Sequence, residues 1–388
     1  MGGITALGGA LTYAELGAAL PRSGGEYNFL SRIYHPVVGF IPGGSPPRLA
    51  LPHRWRWQPS PLEAISRRRI PALSATWLAV GLIVVVTIAH TGRRNRSSNF
   101  QSVFTAVKIS LIVGFCILCS VMVDEAQTIS FLPHAGDGKL LLGSAFAVSL
   151  MYVNYAYTGW NSVTYLISEV NDAQRNLPRI LITSTLPVMV LYVALNYTFL
   201  HVAPISALEG KVEVGYIAAQ HVLGEAGASA ISVVLSLLLV STVSAMTIAG
   251  PRVLQVIGKD FALFGRLAKQ NEDGIPATAI YVQSAIALIS VTTSSFQSIV
   301  LFSGFILGLN TVFAVGGIFV LRWRQPDLIR PYRTWLYPLP PIIYLVLMFW
   351  TLVYTVKSQP QEALIAAGLI GGDGLAYRFA KRYERKRS

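Results

Sequence analysis

The sequence predicts an all-α polytopic membrane protein of about ten transmembrane helices. Three observations carry that reading. Hydrophobic residues fill 53% of the 388 positions, and charged residues only 13%, about half the share of an average soluble domain. The apolar residues come in runs of about 20, the length a helix needs to cross a hydrocarbon core. No alternating ten-residue pattern of a membrane barrel occurs, and lipid satisfies no other kind of open backbone. The formal charge of +13 does not point to nucleic acid, because the basic residues sit in short blocks between apolar runs.

The elements follow in order. Residues 4–20 form a short first span that carries Glu15. Residues 72–90 and 101–123 are full spans, the second holding a single charge, Lys108. Residues 140–168 are uncharged but polar in the middle. Residues 180–202 contain Pro187, and 227–250 are rich in serine. The uncharged stretch 276–321 is long enough for two spans that turn near Thr292–Gln297. Residues 335–356 form another span and 362–377 a weaker last one. The N-terminus MGGITALGGA lacks the basic region and cleavage site of a secretory signal, so none is expected.

Charge sets the orientation. The loops after 72–90, 140–168, 227–250 and 276–321, with the tail 378–388, hold nineteen Lys and Arg. The intervening loops hold three, Lys139, Lys211 and Lys357. Basic loops stay in the cytoplasm, so the C-terminus is expected there. Residues 42–70, PGGSPPRLALPHRWRWQPSPLEAISRRRI, fit no span. Parity nevertheless asks for one more crossing between about residues 34 and 71. A helix lost from the reading frame is the favoured explanation. A long cytoplasmic loop or an amphipathic surface helix would also account for it.

Several residues suggest chemistry. A charge at membrane depth is costly unless paired or solvated, so Lys108 is a candidate site; snorkelling to the nearby helix end is the plainer alternative. Burial would lower its pKa and let it exchange a proton. Asn154-Tyr155-Ala156-Tyr157-Thr158-Gly159-Trp160-Asn161-Ser162 places glycine and polar groups at mid-membrane. That suits either a discontinuous helix with a ligand at its ends or a close helix interface. Ser232, Ser236, Ser241 and Ser244 lie about one turn apart, a spacing that usually serves helix packing. Glu15 and Glu26 flank the Pro21 turn and are expected to fix a cytoplasmic loop. Cys116 and Cys119 lie in an apolar run and are expected to be packing residues. No P-loop, H-E-x-x-H, G-x-S-x-G or Cys/His metal spacing occurs, so neither an enzyme nor a cofactor or metal is expected.

Four stretches together resemble one family. GGALTYAELGAALPRSGGEYNFLSRIY is similar to the second helix and following loop of permeases of the amino acid–polyamine–organocation superfamily. YAYTGWNSVTYLISEVNDAQRNLPRI is similar to their broken sixth helix, and in this form to the L-type, neutral amino-acid branch. VSTVSAMTIAGPRVLQVIGKDFALFGRL resembles the eighth helix and its loop. RQPDLIRPYRTWLYPLPPIIYL resembles the approach to the eleventh. The resemblance implies a single transporter domain with a partial five-plus-five inverted-repeat, leucine-transporter-like fold. Residues 1–41 would represent the second helix and its loop, 72–377 the fourth to twelfth helices, and 378–388 a cytoplasmic tail. The first family helix is not represented, and 42–71 stands where the third would be.

By position, the resemblance implies a substrate site at Tyr155, Ala156, Tyr157, Thr158, Gly159, Trp160 and Asn161. Tyr155 would be an aromatic gate, carbonyls at 155–157 would take an α-ammonium, and Gly159 would be the break. Lys108 would act as a built-in cation, with Ser241 and Ser244 near it, as an ion-coupling site. The implied function is secondary active transport of amino acids across the plasma membrane, proton-coupled or by exchange, through alternating access. The alternative is a truncated, non-transporting permease fragment. The expected partners are a neutral amino acid, protons and the lipid bilayer, and no nucleic acid.

Overall fold

The computed structural model describes residues 1–44, 75–92, 94–130, 132, 136–211, 213–293 and 296–386. Every regular element among them is helical. Five helices are long and apolar enough to cross a bilayer, and two shorter ones, Thr76–Thr91 and Ala277–Thr293, are also apolar. Most of the aberrant segment, from residue 45 onward, lies outside the described residues, as do Arg93 and part of the turn expected near Thr292–Gln297. The chain divides into two compact units, Met1–Arg54 with Gly136–Leu186 and Ile248–Ser388, and Trp55–Ala135 with Pro187–Thr247.

The first unit begins with α1 (Gly2–Ala19), GGITALGGALTYAELGAA, which is buried along nearly its whole length. Small residues make that possible. In lipid there is no water to expel between helices, so close van der Waals approach and polar bonds must hold them together. A Cβ on Gly8 would lie 2.9 Å from the Pro340 carbonyl oxygen, and one on Gly17 would strike Leu177. The short helices α2 (Glu26–Ile33) and α3 (Pro36–Gly44) follow. On α2 the residues spaced i, i+3, i+4, i+7 are Glu26, Phe29, Leu30 and Ile33, and all four are buried. Phe29, Leu30 and Ile33 join Tyr13, Leu16, Ile167, Leu177, Ile318 and Tyr344 in the main core.

The second unit contains α4 (Ala75–Thr91) and α5 (Arg94–Met122). The short helices α6 (Asp137–Leu141) and α7 (Ser144–Ala156) return to the first unit. Helix α8 (Ala173–Val202) runs through the boundary, α9 (Ile205–Leu208) is one turn, and α10 is Val214–Asp260. Helix α10 starts earlier than the expected span 227–250, but Gly224 (φ 67°, ψ −173°) interrupts it just before that span. Cys119 is buried with Val202, Ala203 and Ala218, in the packing role expected of it. Helices α4 and α5 expose Val85, Ile88, Val103, Ile117 and Val121, faces suited to hydrocarbon rather than water.

The first unit ends with α11 (Ala277–Thr293), α12 (Phe296–Arg324), α13 (Leu339–Ser358) and α14 (Pro360–Arg385). Its ion pairs join segments far apart in sequence. Glu15, fully buried, accepts two hydrogen bonds from Arg322, at 2.9 and 2.7 Å, and one from the Thr334 N–H at 2.6 Å; Arg330 lies 3.6 Å away. Arg22 pairs with Asp260 at 2.5 Å and Arg252 with Glu169 at 2.7 Å. Tyr377 and Ala380 of α14 pack with Phe40 and Phe261. The ends of α1, α10, α12 and α14 therefore meet at one end of this unit, and the C-terminal helix closes there with them.

Candidate functional site

The polar middle of the uncharged stretch is where the helix breaks. Helix α7 stops at Ala156, and a 3₁₀ segment resumes at Ser162–Glu169. Between them the chain makes tight turns. The Thr158 N–H donates to the Tyr155 carbonyl at 2.9 Å, Trp160 to Tyr157 at 3.4 Å, and Ser162 to Gly159 at 3.0 Å. Gly159 has φ 105°, a conformation glycine adopts without steric cost and other residues rarely reach. The carbonyls of Tyr155 and Tyr157 thus both take part in the turns at the break.

The break opens onto a cleft within the first unit. Tyr155, Tyr157, Thr158, Trp160 and Asn161 line it. Ala156 and Gly159 do not: they shape the break rather than the wall. Thr5 and Ala6 of α1, Gly304, Gly308 and Thr311 of α12, and Tyr344 and Met348 of α13 complete the lining. The Tyr344 hydroxyl donates to Thr311 Oγ1 at 2.6 Å, and Asn154 Nδ2 lies 3.1 Å from Met348 Sδ. Trp160 meets Tyr13 edge-on, with centroids 4.8 Å apart. It also abuts Gly9, one turn before Tyr13 on α1, where a Cβ would lie 2.8 Å from the indole and 2.9 Å from Tyr344.

Behind the cleft lies a group that the sequence reading placed elsewhere. Glu26 was expected to fix a loop. Instead it is 7% exposed and accepts from the Tyr13 hydroxyl at 2.9 Å and from Asn161 Nδ2. Asn161 also donates to the Tyr165 hydroxyl at 3.2 Å. Among the described residues no cation pairs with Glu26. Burial pushes its carboxyl above the ordinary carboxylate range, against the hydrogen bonds that favour the charged form. A sequence signal did exist: Glu26 shares the helical spacing of Phe29, Leu30 and Ile33, so it sits on the apolar face of α2. Glu15 does the structural work expected of it.

The residues expected to couple an ion lie in the second unit. Lys108 Nζ donates to Thr242 Oγ1 at 2.9 Å. Ser241 and Ser244 are fully buried one helical turn apart, but neither is the hydroxyl that Lys108 reaches. Ser244 instead meets His90 Nε2 at 2.8 Å, and Ser241 Oγ has no hydrogen-bond partner among the described residues. Thr242 and His90 were missed because sequence spacing does not tell which face of α10 meets α5 and which meets α4. No group of three or more His, Cys, Asp or Glu that could hold a metal occurs among the described residues.

Comparison with known proteins places these features. A family model described as "Amino acid permease" matches residues 65–372. The chain is 25% identical to the b(0,+)-type amino acid transporter 1 of Mus musculus, over 95% of this chain and 77% of that protein. It is 27% identical to the Asc-type amino acid transporter 1 of Homo sapiens, over 92% and 70% respectively. It is 26% identical to the large neutral amino acids transporter small subunit 2 of Mus musculus, over 92% and 68%.

Proposed function

This chain belongs to the amino acid permease family and transports amino acids across a membrane, and from that premise we propose that it is a secondary transporter of neutral amino acids working by alternating access. The observation that carries the reading is the break between Ala156 and Ser162, opening on a cleft walled by Tyr155, Tyr157, Thr158, Trp160 and Asn161. A zwitterion fits such a wall. The main-chain carbonyls at the break, around Tyr155–Tyr157, face the place its ammonium would take. The Thr158 hydroxyl and the Asn161 amide supply donors for its carboxylate. The aromatic and aliphatic remainder takes an uncharged side chain.

Lys108, bonded to Thr242, acts as a fixed cation in the second unit, and Ser241 and Ser244 supply the polar packing around it. The chain resides in the plasma membrane, with its exposed apolar helix faces against lipid. Its basic loops and the C-terminal end of α14 face the cytoplasm, as the excess of Lys and Arg on those segments requires. Transport draws on a proton or on exchange for a second amino acid. The alternative of a non-transporting fragment is not favoured, because the relatives named above are transporters and their similarity runs over 92–95% of this chain.

Uptake of labelled L-leucine and L-alanine into proteoliposomes tests the reading. Accumulation above protein-free vesicles is expected, and Trp160→Ala should reduce it about tenfold, since a partly buried aromatic wall residue is worth about 1.4 kcal/mol. Background uptake of every neutral amino acid tried would overturn the reading.

A further inference from the structure

Glu26 is a buried carboxyl that the transport reading leaves unused. It sits one residue behind the cleft wall: Asn161 lines the cleft and also donates to Glu26. The groups that face Glu26 from the surrounding elements are Tyr13 of α1, Asn161 and Tyr165 of the broken helix, and Tyr344 of α13. None is a cation, and among the described residues none of the ion pairs includes Glu26. The contrast is with Glu15, eleven residues earlier on α1, a carboxylate locked ionised by Arg322 and a backbone N–H. A carboxyl held only by neutral donors can change charge at far lower cost.

We propose that Glu26 is a proton-binding site linked to the cleft through Asn161, so that amino-acid binding and protonation of Glu26 favour each other. The proposal rests on the transport reading above. With the cleft empty, the Asn161 amide and the Tyr13 hydroxyl both donate to Glu26 Oε1. Charge-assisted bonds of this kind are about twice as strong as neutral ones and hold the ionised form. An amino-acid carboxylate in the cleft competes for the Asn161 amide. Once that amide turns to the ligand, the buried charge loses one of its donors. A proton from solvent then forms an O–H bond on the Glu26 carboxyl, and the Tyr165 hydroxyl oxygen, vacated by Asn161, accepts from it. When the ligand leaves, Asn161 returns and the proton is released to solvent. Linkage is reciprocal, so a lower pH strengthens amino-acid binding by the same factor.

The test is equilibrium binding of tritiated L-leucine to the full chain in lipid nanodiscs, between about pH 5 and about pH 8. Wild-type affinity should be about tenfold higher at the acid end, the equivalent of one unit of coupled pKa shift. Glu26→Gln, neutral at every pH, should flatten the profile, and Glu26→Asp should keep it with a displaced midpoint. A Glu26→Gln variant with the wild-type profile overturns the proposal, as does a profile that only Lys108→Ala removes. If Glu26→Gln does not fold, difference infrared spectra of wild-type chain carrying ¹³C-glutamate decide. The band of a buried protonated carboxyl should grow with added leucine, and its absence overturns the proposal. If leucine and alanine bind at no pH, the transport reading fails; in that case the infrared band, followed against pH alone, still reports whether Glu26 takes a proton.

Discussion

Gly9→Ala adds one methyl group to α1 and tests whether Trp160 is held in place by close packing. In a helix interior the change from glycine to alanine is favourable by about 1 kcal/mol. At this position the new Cβ would stand 2.8 Å from two atoms of the Trp160 indole and 2.9 Å from the Tyr344 ring. Tyr13, one turn along the same helix with centroids 4.8 Å from the indole, leaves the cleft as the direction in which Trp160 can shift. Overpacking of this kind costs about 1–3 kcal/mol, which exceeds the helix gain at all but its lower limit. The net expectation is a loss of up to about 2 kcal/mol in stability. Leucine affinity should also fall about tenfold as Trp160 tilts into the cleft. Gly81→Ala is the matched control, since a Cβ there meets no atom within 4 Å. Thermal unfolding in detergent and leucine binding, measured on both variants, separate the effects. If Gly9→Ala matches Gly81→Ala in both, Trp160 is not a packed wall of the cleft and the reasoning fails.

Other predictions follow from the polar contacts. Glu15→Ala leaves Arg322 and Arg330 facing no carboxylate and the Thr334 N–H unbonded. The loss should lie toward the lower end of about 3–5 kcal/mol, because the Arg322 side chain is 26% exposed; a change below about 1 kcal/mol in denaturant unfolding would contradict it. Thr242→Val removes the hydroxyl bonded to Lys108, so it should lower leucine uptake by more than Ser241→Ala does, and equal losses would argue against the Lys108–Thr242 contact. Glu26 titrates with a raised value when folded, so the native state holds its proton to higher pH than the unfolded chain. Its contribution is complete below the unfolded value and is lost as pH rises through the folded one. The stability of Glu26→Gln relative to wild type should therefore improve as pH rises above about 4.5. A constant difference between the two would show that Glu26 is not displaced from its ordinary range.

Much of the fold was legible because lipid imposes simple rules. Apolar run length marks the spans, and the distribution of Lys and Arg sorts the loops. The pairs Arg22–Asp260, Arg252–Glu169 and Arg322–Glu15 tie the ends of several helices together. The broken helix was legible too, since Gly159 and its polar neighbours interrupt an uncharged run. Glu26 was read as fixing a loop because it flanks the Pro21 turn. The i, i+3, i+4, i+7 spacing with Phe29, Leu30 and Ile33 says the opposite, and spacing is the better guide in a helix that protein surrounds.

The sequence by itself determined that the chain is helical and that the uncharged run comes apart around Gly159. These depend on local composition, and local composition is what a run of residues displays. The tertiary structure alone decided that Asn161 turns to Glu26, that Lys108 reaches Thr242 rather than Ser241 or Ser244, and that Trp160 abuts Gly9 and Tyr13. Each of these contacts joins residues on different helices. Which face of one helix meets which face of another is set by the fit of small and large side chains across the interface, and no single segment contains both halves of that fit.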